Sequence, residues 1–239
     1  MRVVLLGTGD AIGTPRIGCS CTQCTHAYDH GLQRLRTSLL VEYGGHHILV
    51  DTGPDLRQQL LASGSPHIDA VLWTHGHYDH FMGFGEFYRV QKVPVAYAPP
   101  PVMDYCGGIF RFLGGERHPV PAYSRFSLFG LSCTFLPVTH PPAYTCGVLL
   151  EADGVRIGYT SDTNSQLPGE TARMLKGVDL LFVDALLPSH LHVPKHMNYQ
   201  EACDLAGTLD AGDYRCVHQS HHLPWGLPHL GCDNETFSF

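Results

Sequence analysis

Between positions 75 and 80 the chain reads His-Gly-His-Tyr-Asp-His, three imidazoles and a carboxylate within six residues. From this chain's own His and Asp frequencies, H-x-H-x-D-H is expected about 0.005 times by chance, so a histidine-rich composition does not account for it. His75 and His77, at alternate positions of an extended turn, can converge on one ion. Asp79 and His80, where the chain enters a helix, can face a second ion beside it. Two ions need more ligands, and three later residues each follow an apolar strand: His140 after Leu136-Pro137-Val138-Thr139, Asp162 after Ile157-Gly158-Tyr159-Thr160-Ser161, and His218 after Cys216-Val217. A second motif, C-x-C-x-x-C at Cys19, Cys21 and Cys24, has a chance count of about 0.01. Three thiolates at that spacing lack only a fourth ligand for a closed tetrahedral zinc site.

The 239 residues carry 17 His against 15 Lys plus Arg, 44% hydrophobic and 15% charged side chains, and a formal charge of -7. The length suits one domain, residues 1–239, with a substantial core. The longest apolar runs fall far short of the roughly 18 residues of a membrane span, and no signal peptide opens the chain, so a cytoplasmic protein without a membrane partner is expected. In a reducing compartment, closely spaced cysteines point to metal rather than disulfides. With only three Lys and a net negative charge, no broad cationic face exists to collect a long nucleic acid.

Short strands and helices alternate, and they must position these residues. Strands are expected at Val3–Leu6, Thr37–Glu42, His47–Val50, Ala70–Trp73, Val93–Tyr97, Leu131–Leu136, Tyr144–Glu151, Val155–Thr160, Leu180–Val183 and Arg215–Val217. Helices are expected at Pro54–Ala62, through Phe84–Tyr88, at Gly169–Lys176 and at Tyr199–Leu209. Asn198 and Glu201 have the spacing of a capping box on the last of these. The candidate ligands recur just after strands, where loops on a rigid scaffold carry function.

In this order the motifs resemble the metallo-β-lactamase superfamily over roughly residues 1 to 222. The resemblance implies a four-layer αββα sandwich of the α/β class with metals at one edge between two sheets. It implies His75, His77 and His140 on one metal, Asp79, His80 and His218 on the other, and Asp162 bridging them. The Cys motif is similar to that of the superfamily's phosphodiesterases of phosphoribosyl 1,2-cyclic phosphate, in phosphonate catabolism by the carbon-phosphorus lyase pathway. There the fourth zinc ligand is a His three residues after the last catalytic one, here His221. In the same way Asp51 resembles a strand-end Asp that orients metal ligands, and His196 resembles a catalytic His placed over the leaving group.

The chemistry so implied uses two active-site divalent metals, Mn or Zn, and one structural Zn. A hydroxide shared by the active-site pair attacks phosphorus, and a protonated His196 supplies the departing alkoxide with its proton. Phosphoribosyl 1,2-cyclic phosphate would become ribose 1,5-bisphosphate. A small phosphodiester is the expected partner, and the family suggests a homodimer. Arg16, Arg34, Arg36, Arg111 and Arg117 are nominated to hold the substrate's charge. One alternative is a tRNA 3′-processing endonuclease, but those enzymes insert a long basic arm where in this chain Asp162 comes only 22 residues after His140. Another is a non-catalytic metal-binding accessory protein of the pyrroloquinoline quinone biosynthesis type. Residues 231–239 match no part of the family pattern.

Overall fold

Strands whose consecutive residues are all apolar are covered on both faces, each face taking every second side chain. The computed structural model describes all 239 residues and shows this arrangement in both of its sheets. In chain order the elements are β1 (Arg2–Gly7), α1 (Thr22–His30), β2 (Ser38–Tyr43), β3 (His46–Val50), α2 (Leu56–Ala62), β4 (Ala70–Leu72), α3 (Tyr78–Phe81), β5 (Val95–Ala98), α4 (Pro100–Ile109), β6 (Arg117–Pro119), β7 (Arg125–Leu128), β8 (Leu131–Pro137), β9 (Cys146–Ala152), β10 (Val155–Tyr159), α5 (Gly169–Leu175), β11 (Leu180–Asp184), α6 (Tyr199–Thr208), β12 (Asp213–Val217) and β13 (Thr236–Ser238). The first sheet runs β13-β1-β2-β3-β4-β5-β6 and the second β12-β11-β10-β9-β8-β7.

Val3 and Leu5 of β1 meet Phe135 of β8, Val148 of β9 and Phe182 of β11 in a core between the sheets. Val4 and Leu6 turn the other way, onto Leu56 of α2, Phe81 of α3 and Val102 of α4. In the second sheet Leu181 and Val183 likewise turn outward, onto Leu175 of α5 and Leu205 of α6. The layers are helix, sheet, sheet, helix, which is the αββα sandwich that the sequence resemblance implies. No helix is long and apolar enough to cross a membrane.

The strands that matter for chemistry are parallel within each sheet: β3 with β4, and β10 with β11 and β12. Their carboxyl ends therefore open onto one edge of the sandwich, where crevices in such sheets bind ligands. Asp51 follows β3, His75 follows β4, Asp162 follows β10, Asp184 ends β11 and His218 follows β12.

The elements depart from the sequence expectation in a few places. The helix expected through Phe84–Tyr88 is a 3-10 turn over Met82–Phe87, directly after α3. The helix α4 was not anticipated because it opens on two prolines and contains two glycines. The three unanticipated strands, β6, β7 and β13, have only three or four residues and lie at sheet edges. The unmatched tail has a structural role: Thr236–Ser238 pairs antiparallel with Arg2–Val4 and covers the β1 edge, an edge otherwise open to pairing with another chain.

The loop after β3 is stitched to the ligand-bearing helix by backbone contact. Thr52 N–H donates to the His80 carbonyl at 2.7 Å, and Gly83 N–H donates to the Thr52 carbonyl at 2.8 Å. Neither glycine at this junction has room for a side chain: a Cβ on Gly83 would lie 1.9 Å from the Gly53 carbonyl oxygen, and one on Gly53 would lie 2.3 Å from that of Asp79. Gly83→Ala should therefore destabilise the protein by about 1–3 kcal/mol, the usual cost of overpacking, and lower its metal content. Gly108→Ala, in α4 with no atom within 4 Å of the added carbon, should leave both at or above the original value. Thermal melts with metal analysis check the pair.

Candidate metal centre

Three of the strand ends that build the site hold non-glycine residues in the left-handed backbone region: Asp51 at φ 64°, Ser161 at 55° and His218 at 58°. Each such conformation costs on the order of 1–3 kcal/mol and persists only where the surroundings over-determine it. Here the turns aim side chains into the space between the sheets that straight strands would send past it. Asp51, Asp79, Asp162 and Asp184 are all buried together with His75, His80, His140 and His218.

The side chains form two clusters that share one residue. In the first, His77 Nδ1 lies 3.1 Å from His75 Nε2 and 3.2 Å from His140 Nε2. Asp162 Oδ2 is 3.6 Å and 3.8 Å from the same two Nε2 atoms. In the second, His80 Nε2 lies 3.3 Å from both Asp79 Oδ2 and Asp162 Oδ1. His218 Nε2 lies 3.5 Å from Asp79 Oδ2 and 3.3 Å from Asp162 Oδ2. Ligand bonds of 2.0–2.1 Å put tetrahedral ligands about 3.3–3.4 Å apart, so the donors are spaced as they would be around ions. Two buried atoms within the second cluster, His80 Nε2 and Asp162 Oδ1, have no hydrogen-bond partner. A cation there would satisfy both, and the donor set fits divalent metal.

Three of these imidazoles are held from behind through Nδ1. Asp51 accepts from Thr74 N–H at 2.9 Å, from the Thr74 hydroxyl at 2.8 Å and from His80 Nδ1–H at 2.7 Å. The Thr74 hydroxyl oxygen accepts from Ser161 Oγ at 2.9 Å and from His75 Nδ1–H at 3.0 Å. His140 Nδ1–H donates to the Lys195 carbonyl at 3.1 Å. Fixing these Nδ1 protons turns Nε2 toward the metal position.

Electrostatics separates the two clusters. Burial pushes His75 well below the ordinary imidazole range and pulls His140 down as well. Burial also opposes charge on His80, but Asp162, Asp79 and Asp51 outweigh it and hold that imidazole well above its ordinary value. For His218 the carboxylates of Asp162, Asp79 and Asp184 overcome burial and raise the pKa to about 9. Burial of Asp162 is in turn outweighed by His218 and His80, which keep it ionised well below the usual carboxylate range.

His196 stands beside the clusters. Its ring stacks on His218 at 5.0 Å between centroids and 12° between planes, and meets His140 edge-on at 4.7 Å. Its Nδ1–H donates to Asp184 Oδ2 at 2.7 Å, and the same oxygen accepts from Thr163 N–H at 2.9 Å. Asn198 caps α6 with the full capping box and fixes the backbone two residues on. Asp184 escaped the sequence analysis. It ends the apolar run Leu180–Val183 just as Asp51 ends Ile48–Val50, and that shared strand-end position is the signal that could have found it.

The Cys motif closes a separate site. Cys19, Cys21 and Cys24 Sγ lie 3.6, 3.5 and 3.6 Å from His221 Nδ1. Zinc bonds of about 2.3 Å to sulfur and 2.0–2.1 Å to nitrogen imply about 3.6 Å for that tetrahedral edge. The Cys24 backbone N–H and His221 hold the Cys21 thiol down at about 6, in the deprotonated form a metal requires. Arg34 clamps the loop that carries His221: its buried guanidinium donates to the Ser220 and Leu223 carbonyls at 2.8 and 2.9 Å and covers Trp225 at 3.9 Å. Its nomination as a substrate cation is thereby corrected. Arg36 is likewise engaged with Asp55 at 3.2 Å and Arg117 with the Phe110 carbonyl at 2.7 Å, while Arg16 and Arg111 remain exposed.

The fold and site define the class. Residues 46–219 match the model of the β-lactamase superfamily domain, and the chain belongs to that family. Its site is that of a metal-dependent hydrolase. A solved structure described as a new diphosphatase from the PhnP family is 32% identical, with a TM-score of 0.88 and coverage of 100% of this chain and 98% of that one. An octanoyltransferase of Porphyromonas gingivalis is 31% identical over 244 residues, covering 96% of this chain; the chain spans 48% of that protein's length. Coenzyme PQQ synthesis protein B of Methylobacterium radiotolerans is 31% identical over 218 residues, covering 77% of this chain and 72% of that protein.

Two measurements test the assignment of ligands. Asp162→Ala should lower the metal bound at the two His/Asp clusters while sparing metal bound by the Cys loop, and Cys21→Ser should do the reverse; elemental analysis that shows unchanged metal in either variant contradicts that site. Metal binding should also expel protons, because the metal-free protein holds His218 protonated up to about pH 9 and raises His80 as well, whereas an ordinary imidazole near 6.5 is mostly neutral at pH 7. Calorimetric titration of chelator-stripped protein at pH 7 should show the release of roughly two protons per loaded centre, fading as the pH rises through about 9. Heats independent of buffer ionisation would contradict it.

Proposed function

We propose that this chain hydrolyses small phosphodiesters with two divalent ions, Zn or Mn, held by His75, His77 and His140 on one side and by Asp79, His80 and His218 on the other, with Asp162 serving both. The observation that carries this reading is the position of Asp162, whose single buried carboxylate stands within 3.8 Å of four imidazoles from both clusters. Such a pair of ions supplies hydroxide near neutral pH and Lewis acidity toward phosphoryl oxygens. The chain supplies the rest. Asp51 and Thr74 keep the ligand imidazoles turned inward, so no reorganisation is needed when substrate enters. His196, a catalytic residue in this reading, presents Nε2 toward the bound diester, while Asp184 fixes the proton on Nδ1 and stabilises the imidazolium. As the phosphorus–oxygen bond breaks, His196 gives its proton to the departing alkoxide.

The finer reading is that phosphoribosyl 1,2-cyclic phosphate is opened to ribose 1,5-bisphosphate: water adds across one phosphorus–oxygen bond and the freed sugar oxygen takes a proton. The full-length similarity to a PhnP-family diphosphatase supports phosphoryl chemistry. Lys195, exposed and joined through its carbonyl to His140, is a cation available for a second phosphate, and Arg16 and Arg111 are exposed as well. An RNA-processing role is less supported, since only the β9–β10 hairpin lies between His140 and Asp162. The similarity to a PQQ synthesis protein favours a second reading, a metal-binding accessory protein. Metal-loaded protein that fails to cleave a bis-aryl phosphodiester and the cyclic sugar phosphate, followed by phosphorus NMR, would leave that second reading standing.

His196→Ala separates its proposed role from that of a ligand. Metal content should stay unchanged, hydrolysis of the cyclic sugar phosphate should fall by about 10² or more, and an aryl diester, whose phenolate leaves without a proton, should suffer much less. Equal losses on both substrates, or loss of metal, would remove His196 from the general-acid role.

A further inference from the structure

His196 stands at the end of an exposed excursion of the chain. Leu186 N–H donates to the Met197 carbonyl at 2.9 Å and Tyr199 N–H to the Leu187 carbonyl at 2.8 Å, which closes the base of the loop, while residues 189–195 all face solvent. Asp184 orients the His196 ring but does not place the backbone that carries it. An exposed segment with few buried contacts opens locally at little cost, and a misplacement of about 1 Å at a reacting group can cost about 10² in rate.

Two side chains hold the segment just before His196: His140 Nδ1–H donates to the Lys195 carbonyl at 3.1 Å, and Asn164 Nδ2–H donates to the Pro194 carbonyl at 3.0 Å. The Asn164 amide is itself fixed. Its Oδ1 accepts from Gln166 N–H at 2.9 Å, so turning the amide over would set oxygen against the Pro194 carbonyl and NH2 against an N–H. Its backbone N–H donates at 3.0 Å to the carbonyl of Thr139, the residue before His140. Asn164 thereby joins the loop after β10, the loop after β8 and the segment that carries His196, without belonging to either ligand cluster. We propose that Asn164 is a positioning residue for the proton transfer: its amide clips residues 194–196 over the metal edge, so that the imidazole stands where the departing oxygen forms. The proposal rests on the general-acid reading of His196 above, whereas the clip itself is a matter of backbone placement.

The test uses the metal-loaded full chain and two diesters of one negative charge each. The alkoxide leaving from methyl riboside 2′,3′-cyclic phosphate needs a proton, and the phenolate leaving from bis(4-nitrophenyl) phosphate does not. Asn164→Asp removes the donor but keeps the acceptor for Gln166, and Asn164→Ala repeats the test without added charge. Each should lower kcat on the cyclic diester by about tenfold with KM little changed, and alter the aryl diester by less than about twofold, at unchanged metal content. In a His196→Ala background the same substitutions should cost nothing further, because a residue that acts through His196 then has nothing to position. Unchanged kcat, equal losses on both diesters, a full additional loss in the His196→Ala background, or loss of metal overturns the proposal. If the unmodified protein does not cleave the cyclic diester, the reading of His196 fails by itself and proteolysis decides the clip. Trypsin should then cut after the exposed Lys195 about tenfold faster in both Asn164 variants than in the unmodified protein, and equal cutting rates would overturn it.

Discussion

Four carboxylates, Asp51, Asp79, Asp162 and Asp184, lie at one edge of the sandwich with no more than 3% of their surface exposed. Removing an ion from water costs several kcal/mol even after the protein relaxes, and only partners of opposite charge in good geometry offset that cost. The imidazoles supply part of the compensation. The spacing of the donors around Asp162 leaves room for divalent cations to supply the rest. This requirement explains why so many elements end where they do: parallel strands bring their carboxyl ends together, and left-handed residues at three of those ends turn the chain inward.

The two sheets solve the orientation problem in the same way. Asp51 at the end of β3 accepts a proton bond from His80 Nδ1 at 2.7 Å, and Asp184 at the end of β11 accepts one from His196 Nδ1 at the same distance. The consequences differ because the imidazoles stand in different places. His80 faces the shared carboxylate and serves as a metal ligand in this account, whereas His196 lies over the ring of His218, with a ring nitrogen within 4.8 Å of atoms of Asp162, Asp184 and His218. One device, a buried strand-end acid on an imidazole, fixes a candidate metal ligand in one sheet and the proposed proton donor in the other. The Cys19–His221 site, anchored by Arg34, fixes the segment just beyond His218 and so steadies the last strand end.

The site was more legible in the sequence than the sheet edges were. His75, His77, Asp79 and His80 stand in one hexapeptide, and short turns make such residues converge whatever the rest of the chain does. His140, Asp162 and His218 could be nominated because each follows an apolar strand, but their convergence depends on strand order, which local pattern does not encode; the resemblance to a family supplied it. Asp184 was passed over although it ends the apolar run Leu180–Val183, because Ala185-Leu186-Leu187 follows it instead of a cluster of polar residues. Arg34, Arg36 and Arg117 failed as substrate cations because a guanidinium's partners, here backbone carbonyls and Asp55, are set by tertiary packing. Short edge strands such as Arg117–Pro119 carry too few alternating residues for any period to show.

The central claim is that Asp162 is common to two ions held by one buried edge. A crystal structure of the protein loaded with zinc or manganese, with the ions located by their anomalous scattering, tests it most directly. The account predicts two peaks about 3.5–4 Å apart, with the Asp162 carboxylate bonded to both and a third, isolated peak among Cys19, Cys21, Cys24 and His221. A single ion at the strand ends, or two ions of which only one touches Asp162, would contradict it.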